Sequence, residues 1–412
     1  MRRPSSLTAL IAGVILSILL ISFWAKRQAW FPATAYLHEP SAAHSYKAPS
    51  TSLGATDSAV SPDPDLTRDI YNSTLGFEKI FVVSLPSRTD RRDSIILAAA
   101  LSNIEFEFID GVDGSLIPDT VIPSGPKQGR LPDAPLGCWR AHMNAIQETV
   151  RRNLGSVLIL EDDVDWDVRI RDQLRDFALS SRALTQPLAS TPKSYADKTF
   201  PRPSDNSPVA VPDIHLNDLP ATIAPQKSPY GDNWDLFWLG HCGMHFPFTE
   251  SKAIPKGRVV YTEETVPQTQ HLWTLSDPND IKEQYPNHTR VVHHAQDGIC
   301  SGGYAVTQKS ARNVLYELGL KDMNAAYDIL LRWFCENGGE PSRGHHHCLT
   351  VQPPLFGIHL PAQPKSHNSD ISDHGEGFQE KKTENVRYSV KMNIQALLKG
   401  GTDLVDQFPD VD

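Results

Sequence analysis

Val157, Leu158, Ile159 and Leu160 form an uninterrupted apolar run, and the chain then delivers Glu161, Asp162, Asp163, Asp165 and Asp167 in quick succession. A short apolar run of this kind is the pattern of a strand buried on both faces, as in a sheet covered by helices. Consecutive carboxylates at its mouth repel one another, and burial penalises each charge unless a cation or hydrogen-bond donors compensate. A divalent metal is the direct compensator. If the strand continues through the motif, Glu161 and Asp163 share a face and approach one ion while Asp162 turns the other way. Mn²⁺ or Mg²⁺ held by one or two carboxylates fills its shell with phosphate oxygens, which points to a nucleoside-diphosphate substrate. The plain alternative is an acidic cap for a helix starting near Asp167, a task that needs one carboxylate rather than five.

The sequence around this motif alternates between strand and helix patterns. IFVVSL (80–85) is an apolar strand, a helix runs through Ile95 and Leu101, IEFEFI (104–109) has period-two alternation, and a helix covers 140–152. Strands alternating with helices imply an α/β sheet, whose ligand site lies outside the carboxyl ends of the strands. After IFVVSL, the residues Ser87, Arg88, Thr89, Asp90, Arg91 and Arg92 crowd the start of a helix. Unpaired amides and guanidinium groups there make a seat for a diphosphate; the alternative is a capped helix with a solvated surface.

Composition excludes one large class. With 39 basic and 49 acidic side chains the net charge is −10, and the basic runs are short, so a nucleic-acid partner is not expected. Residues 7–24 carry no charge and at 1.5 Å per residue would span about 27 Å, long enough to cross a thin bilayer. Ser22, Phe23 and Trp24 close the stretch without a small-residue cleavage site, so we expect an uncleaved type II anchor behind a cytosolic head of residues 1–6. Residues 25–75 read as a Pro/Ser-rich stem, 76–375 as the catalytic domain, 181–229 as a proline-rich flexible surface insertion, and 376–412 as a polar tail with an amphipathic helix near 390–398. The body then faces the lumen of the endoplasmic reticulum or Golgi, where the sequons at Asn72 and Asn287 are meaningful. Five cysteines in an oxidising lumen leave one thiol over. The sequence does not fix the connectivity; the expected pairing is Cys242–Cys300 and Cys335–Cys348, with Cys138 free and inside. His345-His346-His347-Cys348 is a possible metal tract on a glycine-rich loop.

Three blocks in order, IFVVSLPSRTDRR, LGCWRAHMNAI (136–146) and VLILEDDVDW (157–166), resemble glycosyltransferase family 25, the group of bacterial lipooligosaccharide galactosyltransferases and collagen β-galactosyltransferases. WDLFWLGHCG (234–243), CSGGYAVTQKSARNVL (300–315), AAYDILL and PPLFGIH ahead of Ser369-Asp370-Ile371 are similar to its later blocks. The resemblance implies a GT-A fold, with a Rossmann-like nucleotide half and an acceptor half. It also implies transfer of a hexose, most often galactose, from a UDP-sugar to a glycan or glycoprotein hydroxyl with inversion and Mn²⁺. Carried over, Glu161, Asp162 and Asp163 take the metal and donor role, and Ser84, Arg88 and Arg91 lie at the nucleotide end. His359 is a third metal ligand by analogy with other GT-A enzymes. The chain departs from the family at Ser84, where Asn is usual, and at Ala141, where Ser is usual.

An inverting transfer needs a carboxylate to take the acceptor hydroxyl's proton across the sugar from the metal. Asp328, in a helix-like stretch over 324–334, is the first candidate and Asp297 the second; either can equally be an ordinary structural carboxylate. His142 is placed to touch the donor or to be a satisfied core histidine. Tyr304, behind Gly302 and Gly303, is a candidate to stack on a sugar or uracil, unless the glycines mark a bulge. Trp139, Trp166, Trp234 and Trp238 are expected in the core, with no more than one at the site. Two rival readings remain: a catalytically silent glycan-binding or scaffold relative, and a metal-dependent phosphoesterase.

Overall fold

The computed structural model describes residues 66–123, 129–321, 323–337, 344–371 and 375–411. The 7–24 stretch and most of the stem lie outside these residues; among the described ones no helix is long and apolar enough to cross a membrane. Thirteen strands carry the argument: β1 Lys79–Ser84, β2 Glu107–Asp110, β3 Ser156–Glu161, β4 Val164–Trp166, β5 Ile214–His215, β6 Leu236–Gly240, β7 Gly243–His245, β8 Arg258–Thr262, β9 Thr289–His294, β10 Gln296–Ile299, β11 Gly303–Thr307, β12 Cys348–Gln352 and β13 Phe356–Leu360. The helices that matter are α1 Thr89–Leu101, α2 Asp133–Arg151, α3 Ile170–Thr185, α4 Gln308–Tyr316, α5 Tyr327–Glu336 and α6 Val390–Leu398.

Nine strands form one mixed sheet in the order β2-β1-β3-β11-β6-β12-β9-β8-β5. β1 runs parallel to both β2 and β3, in a register that sets Val83 opposite Ile109 and Glu161. β11 then reverses direction against β3 and β6. The alternation of the strands sorts their side chains to two faces. Ile80, Val82, Leu158, Leu160, Phe237 and Leu239 pack with Ile95 and Ala98 of α1 and Leu174 and Phe177 of α3. Phe81, Val157, Ile159, Leu236, Trp238 and Tyr304 pack with Trp139 and Met143 of α2, Val314 of α4 and Leu330 and Phe334 of α5. Burial on both faces explains why VLIL is apolar throughout.

Several expectations meet the structure directly. Cys242–Cys300 and Cys335–Cys348 are bonded and Cys138 is free. α6 spans the expected 390–398. The α2 helix starts at Asp133, earlier than 140, because Pro132 sits just before its first turn and Leu136, Gly137 and Trp139 are already buried in it. The stem boundary at 75 is too late, since Ile70 and Leu75 are fully buried and Tyr71 donates to Asp172. The boundary of the insertion also moves: 181–185 is the buried last turn of α3, β5 adds an edge strand beside β8, and Asp197, Thr199 and Phe200 are buried against Gly257 and His294.

The tail is a further correction. Lys382–Thr383 pairs with β13, which pairs with β4, and α6 packs against α1. Ser389, Lys391 and Asn393 are buried, so polar composition here marks hydrogen-bonded burial rather than a solvated end. All four tryptophans named above are core residues, and Tyr304 is fully buried too. Gly302 and Gly303 serve strand packing: a Cβ on neighbouring Gly240 would come 2.7 Å from the Gly303 nitrogen, and the β11–β6 register shifts at Gly303.

Candidate active site

Ser84, Asp110 and Glu161 end the three parallel strands β1, β2 and β3 at one level. A cleft of about 430 Å³ opens there. One wall is the β1–α1 turn with Ser84, Ser87 and Arg91, and the other is the turn Glu161–Asp163. The floor is the loop 111–114 and the first three turns of α2 through Cys138, Ala141 and His142, with Ser369, Asp370 and Ile371 above. Glycines bring the floor together: a Cβ on Gly137 would lie 2.2 Å from the Val112 carbonyl, and one on Gly114 would lie 1.8 Å from that of Asp133. Only glycine permits helix and loop backbones to touch in this way.

β3 stops at Glu161, and Asp162 and Asp163 form the turn into β4. The strand therefore does not carry Glu161 and Asp163 onto one face, contrary to the alternation argument. Glu161 turns toward the helices, where its Oε1 accepts from Ser301 Oγ at 2.7 Å and lies 3.3 Å from His142 Nε2. Burial pushes its carboxyl up, but His142, Ser301 and Arg91 outweigh burial and hold it below its ordinary value. Asp162 and Asp163 instead meet Arg91, at 3.0 and 3.1 Å. The same guanidinium donates to the Asn368 carbonyl at 2.7 Å, which ties the upper segment to the acidic turn. Burial pushes Asp163 up; Arg91 opposes it, Glu161 and Asp162 add to it, and the carboxyl stands at about 6. Negative charge thus exceeds what Arg91 neutralises.

The other arginines are also paired. Arg88 binds Asp90 and Asp370, and Arg92 holds the Ser84 hydroxyl at 3.2 Å, the Ser84 carbonyl at 2.9 Å, and Asp110. His142 lies in the cleft floor with its ring stacked on Tyr327 at 4.4 Å, and its Nδ1 is 3.1 Å from Tyr304 Oη. Lys391, buried in α6, reaches the Asp162 carbonyl at 3.4 Å; burial pushes its amine down while Asp165, Asp163 and Asp162 oppose that.

Four expected residues do not line the cleft: Arg88, paired with Asp90 and Asp370, and three that lie elsewhere. His359 donates its backbone N–H to the Asp163 carbonyl at 2.8 Å, but its Nδ1 faces Thr383 Oγ1 at 2.9 Å and its ring does not line the cleft. Burial, Lys391 and Lys381 push it down to about 3. Asp328 accepts the Cys300 N–H at 2.9 Å and the Ile329 N–H at 2.8 Å, fastening the disulfide loop beside Ser301. Asp297 is bound to Arg332. Neither aspartate lines the cleft. The His345–His347 tract is likewise spent on packing, His346 stacking on Phe334 at 3.7 Å and bonding Glu317. The cleft loop 111–114 is not among the expected site residues, although Asp110-Gly111-Val112-Asp113-Gly114 after an alternating strand is a visible turn signal.

Residues 77–192, which hold all three strand ends, match the family model described as Glycosyltransferase family 25 (LPS biosynthesis protein). This segment belongs to glycosyltransferase family 25. It is similar to the human "Inactive glycosyltransferase 25 family member 3", 32% identical over 113 residues, covering 25% of this chain and 19% of that protein. It is also similar to the mouse "Procollagen galactosyltransferase 2", 27% identical over 115 residues, covering 25% of this chain and 18% of that protein. Zebrafish "Procollagen galactosyltransferase 1" is 30% identical over 113 residues, covering 25% and 19%. The matched part spans about a fifth of the length of these curated relatives. The blocks after 192, including β6, β11 and β13, fall outside it.

Proposed function

We propose that the chain transfers a hexose, galactose by preference, from a UDP-sugar to a glycan or glycoprotein hydroxyl with inversion, on a GT-A arrangement. The observation that carries this reading is the acidic turn Asp162–Asp163, bridged by Arg91 and facing Ser84 and Ser87 across a cleft at the ends of three parallel strands, the place where such sheets bind nucleotides. The donor set fits a hard divalent cation: two carboxylates in one turn, with negative charge left over beside Arg91. Asp162 and Asp163 would hold Mn²⁺ or Mg²⁺, whose chemistry is to neutralise charge on the departing diphosphate. Ser84, Ser87 and the first turn of α1 bind the nucleotide end, Arg91 adds positive charge beside it, and His142 supports Glu161 from the cleft floor. Neither base candidate reaches the cleft, Asp297 being engaged by Arg332 and both Asp328 oxygens by backbone N–H groups, so the base of the proposed transfer is left unassigned. Two disulfides, two exposed sequon asparagines and the apolar stretch 7–24 support a lumenal body on a membrane anchor in the endoplasmic reticulum or Golgi.

A silent relative is the second reading, favoured by one observation: Arg91 already occupies both turn carboxylates. The experiment incubates the full chain with UDP-galactose or UDP-glucose and Mn²⁺ and follows UDP release. Wild type is expected to release UDP and Asp163→Ala to do so at least about 100-fold more slowly, the scale of losing a preorganised charge partner. Equal release by the two defeats the mechanism, and absence of UDP binding by calorimetry favours the silent reading.

A further inference from the structure

Cys138 and His142 are four residues apart on α2 and so project from one helix face. That face meets the end of β3, where the Cys138 thiol, a His142 ring nitrogen and a Glu161 carboxylate oxygen all lie within 4.8 Å of one another. It is the one such group of three among the described residues. We propose that this trio is a binding site for a zinc-class divalent ion, separate from the hard-cation place on Asp162 and Asp163.

One ligand pair already has the spacing that tetrahedral coordination asks, and the thiol lies within 4.8 Å of both. Bonds of about 2.0–2.2 Å to nitrogen and oxygen place those two ligand atoms about 3.3–3.5 Å apart at the tetrahedral angle, and a zinc–sulfur bond of about 2.3 Å puts sulfur slightly further out. His142 Nε2 and Glu161 Oε1 are 3.3 Å apart in the structure. Outer partners hold both ligands in place. Ser301 donates to Glu161 Oε1 at 2.7 Å, and Tyr304 Oη lies 3.1 Å from His142 Nδ1, able to accept its proton and leave the Nε2 lone pair for the ion. Tyr304 is fixed in turn by the Tyr327 hydroxyl at 2.8 Å. All three ligands line the cleft, so a fourth position opens into it for water or a substrate oxygen. Binding forms one bond to each of sulfur, nitrogen and oxygen and sends the thiol proton to solvent. Sulfur and imidazole select zinc, cobalt or cadmium over Mn²⁺ and Mg²⁺, which prefer the all-oxygen turn.

The test is metal binding by the full chain without any sugar nucleotide, so its outcome is independent of transferase activity. Co²⁺ should bind one per chain with a thiolate-to-cobalt charge-transfer band in the near ultraviolet, and Zn²⁺ should bleach it. The other four cysteines form disulfides, so the band can arise only at Cys138. Cys138→Ser should abolish the band, and its Zn²⁺ affinity should fall by at least about 100-fold, more than the 10–100-fold that loss of an outer partner costs. A second measurement covers a variant that does not fold: Zn²⁺ should slow alkylation of wild-type Cys138 at least about tenfold, and Mn²⁺ should not. Absence of the thiolate band, unchanged zinc affinity in a folded Cys138→Ser, or alkylation indifferent to Zn²⁺ each overturns the proposal.

Discussion

Asp163 and Asp165 are two residues apart, the first partly exposed and the second fully buried, and their surroundings differ in kind. Asp163 has Arg91 at 3.1 Å, two like charges beside it, and a wall position in the cleft. Asp165 points the other way from β4 and is fully enclosed, accepting from Thr383 Oγ1 at 2.9 Å, the Lys391 N–H at 3.1 Å, the Trp166 N–H at 2.8 Å and the Ser389 hydroxyl. Asp167 continues the second pattern, accepting from the Arg169 and Tyr388 N–H groups at 2.9 and 3.1 Å. One acidic run therefore divides in two: Glu161, Asp162 and Asp163 line the cleft, while Asp165 and Asp167 anchor the 382–391 segment. The helix-cap explanation does not cover the second half, since Asp165 is bound by Thr383, Ser389 and Lys391 and the helix after it has no side-chain cap, while the metal reading of the first half belongs to the proposal above.

The sharpest way to break this division is Asp165→Ala. It leaves Lys391 buried without its main counter-charge and strands the hydroxyls of Thr383 and Ser389, so stability should fall by about 3–5 kcal/mol in denaturant unfolding. A loss under about 1 kcal/mol would mean that the tail is held by something else. Asp163→Asn should behave in the opposite sense. Its carboxyl already stands at about 6 in the fold, so neutralising it removes a strained charge. Unfolding should shift by no more than about 1 kcal/mol while UDP release falls about 100- to 1,000-fold, equivalent to about 2.7–4 kcal/mol. If both variants lose stability equally, the acidic run has one role and not two.

Why the sequence showed one half of the site and not the other follows from the same comparison. Apolar periodicity located β1, α1 and β3, and consecutive like charges at a strand end are a local anomaly that needs no partner to be noticed. The residues that complete the arrangement carry no such mark. Lys391 and Ser389 are buried through hydrogen bonds, and a polar residue satisfied by partners more than 200 positions away has the hydropathy of a solvated tail. Ser369–Ile371 reaches the cleft through Arg88 and Arg91 contacts that no spacing rule encodes. Glu161 is visible as a carboxylate, but its direction is not, because the strand ends at Glu161 itself, two residues before Asp163, which alternation would have set beside it.

His359 tests where the two halves meet, since its backbone holds Asp163 and its ring faces the tail at Thr383. Burial, Lys391 and Lys381 push its imidazole down to about 3. The unfolded chain takes up a proton near pH 6.5 while the folded one stays neutral until about 3, so between those values the unfolded state binds more protons and stability drops as pH falls. The stability this histidine contributes is complete above pH 6.5 and is lost progressively toward 3. His359→Gln keeps a hydrogen-bonding side chain beside Thr383 and removes the titration. Relative to wild type, the variant should gain about 2 kcal/mol on going from pH 7 to pH 5, from about 1.5 pH units at 1.36 kcal/mol each. That gain would be read as the difference between two denaturant series. A difference that does not move with pH would show that the ring reaches water, and would return His359 to the cleft side of the acidic turn.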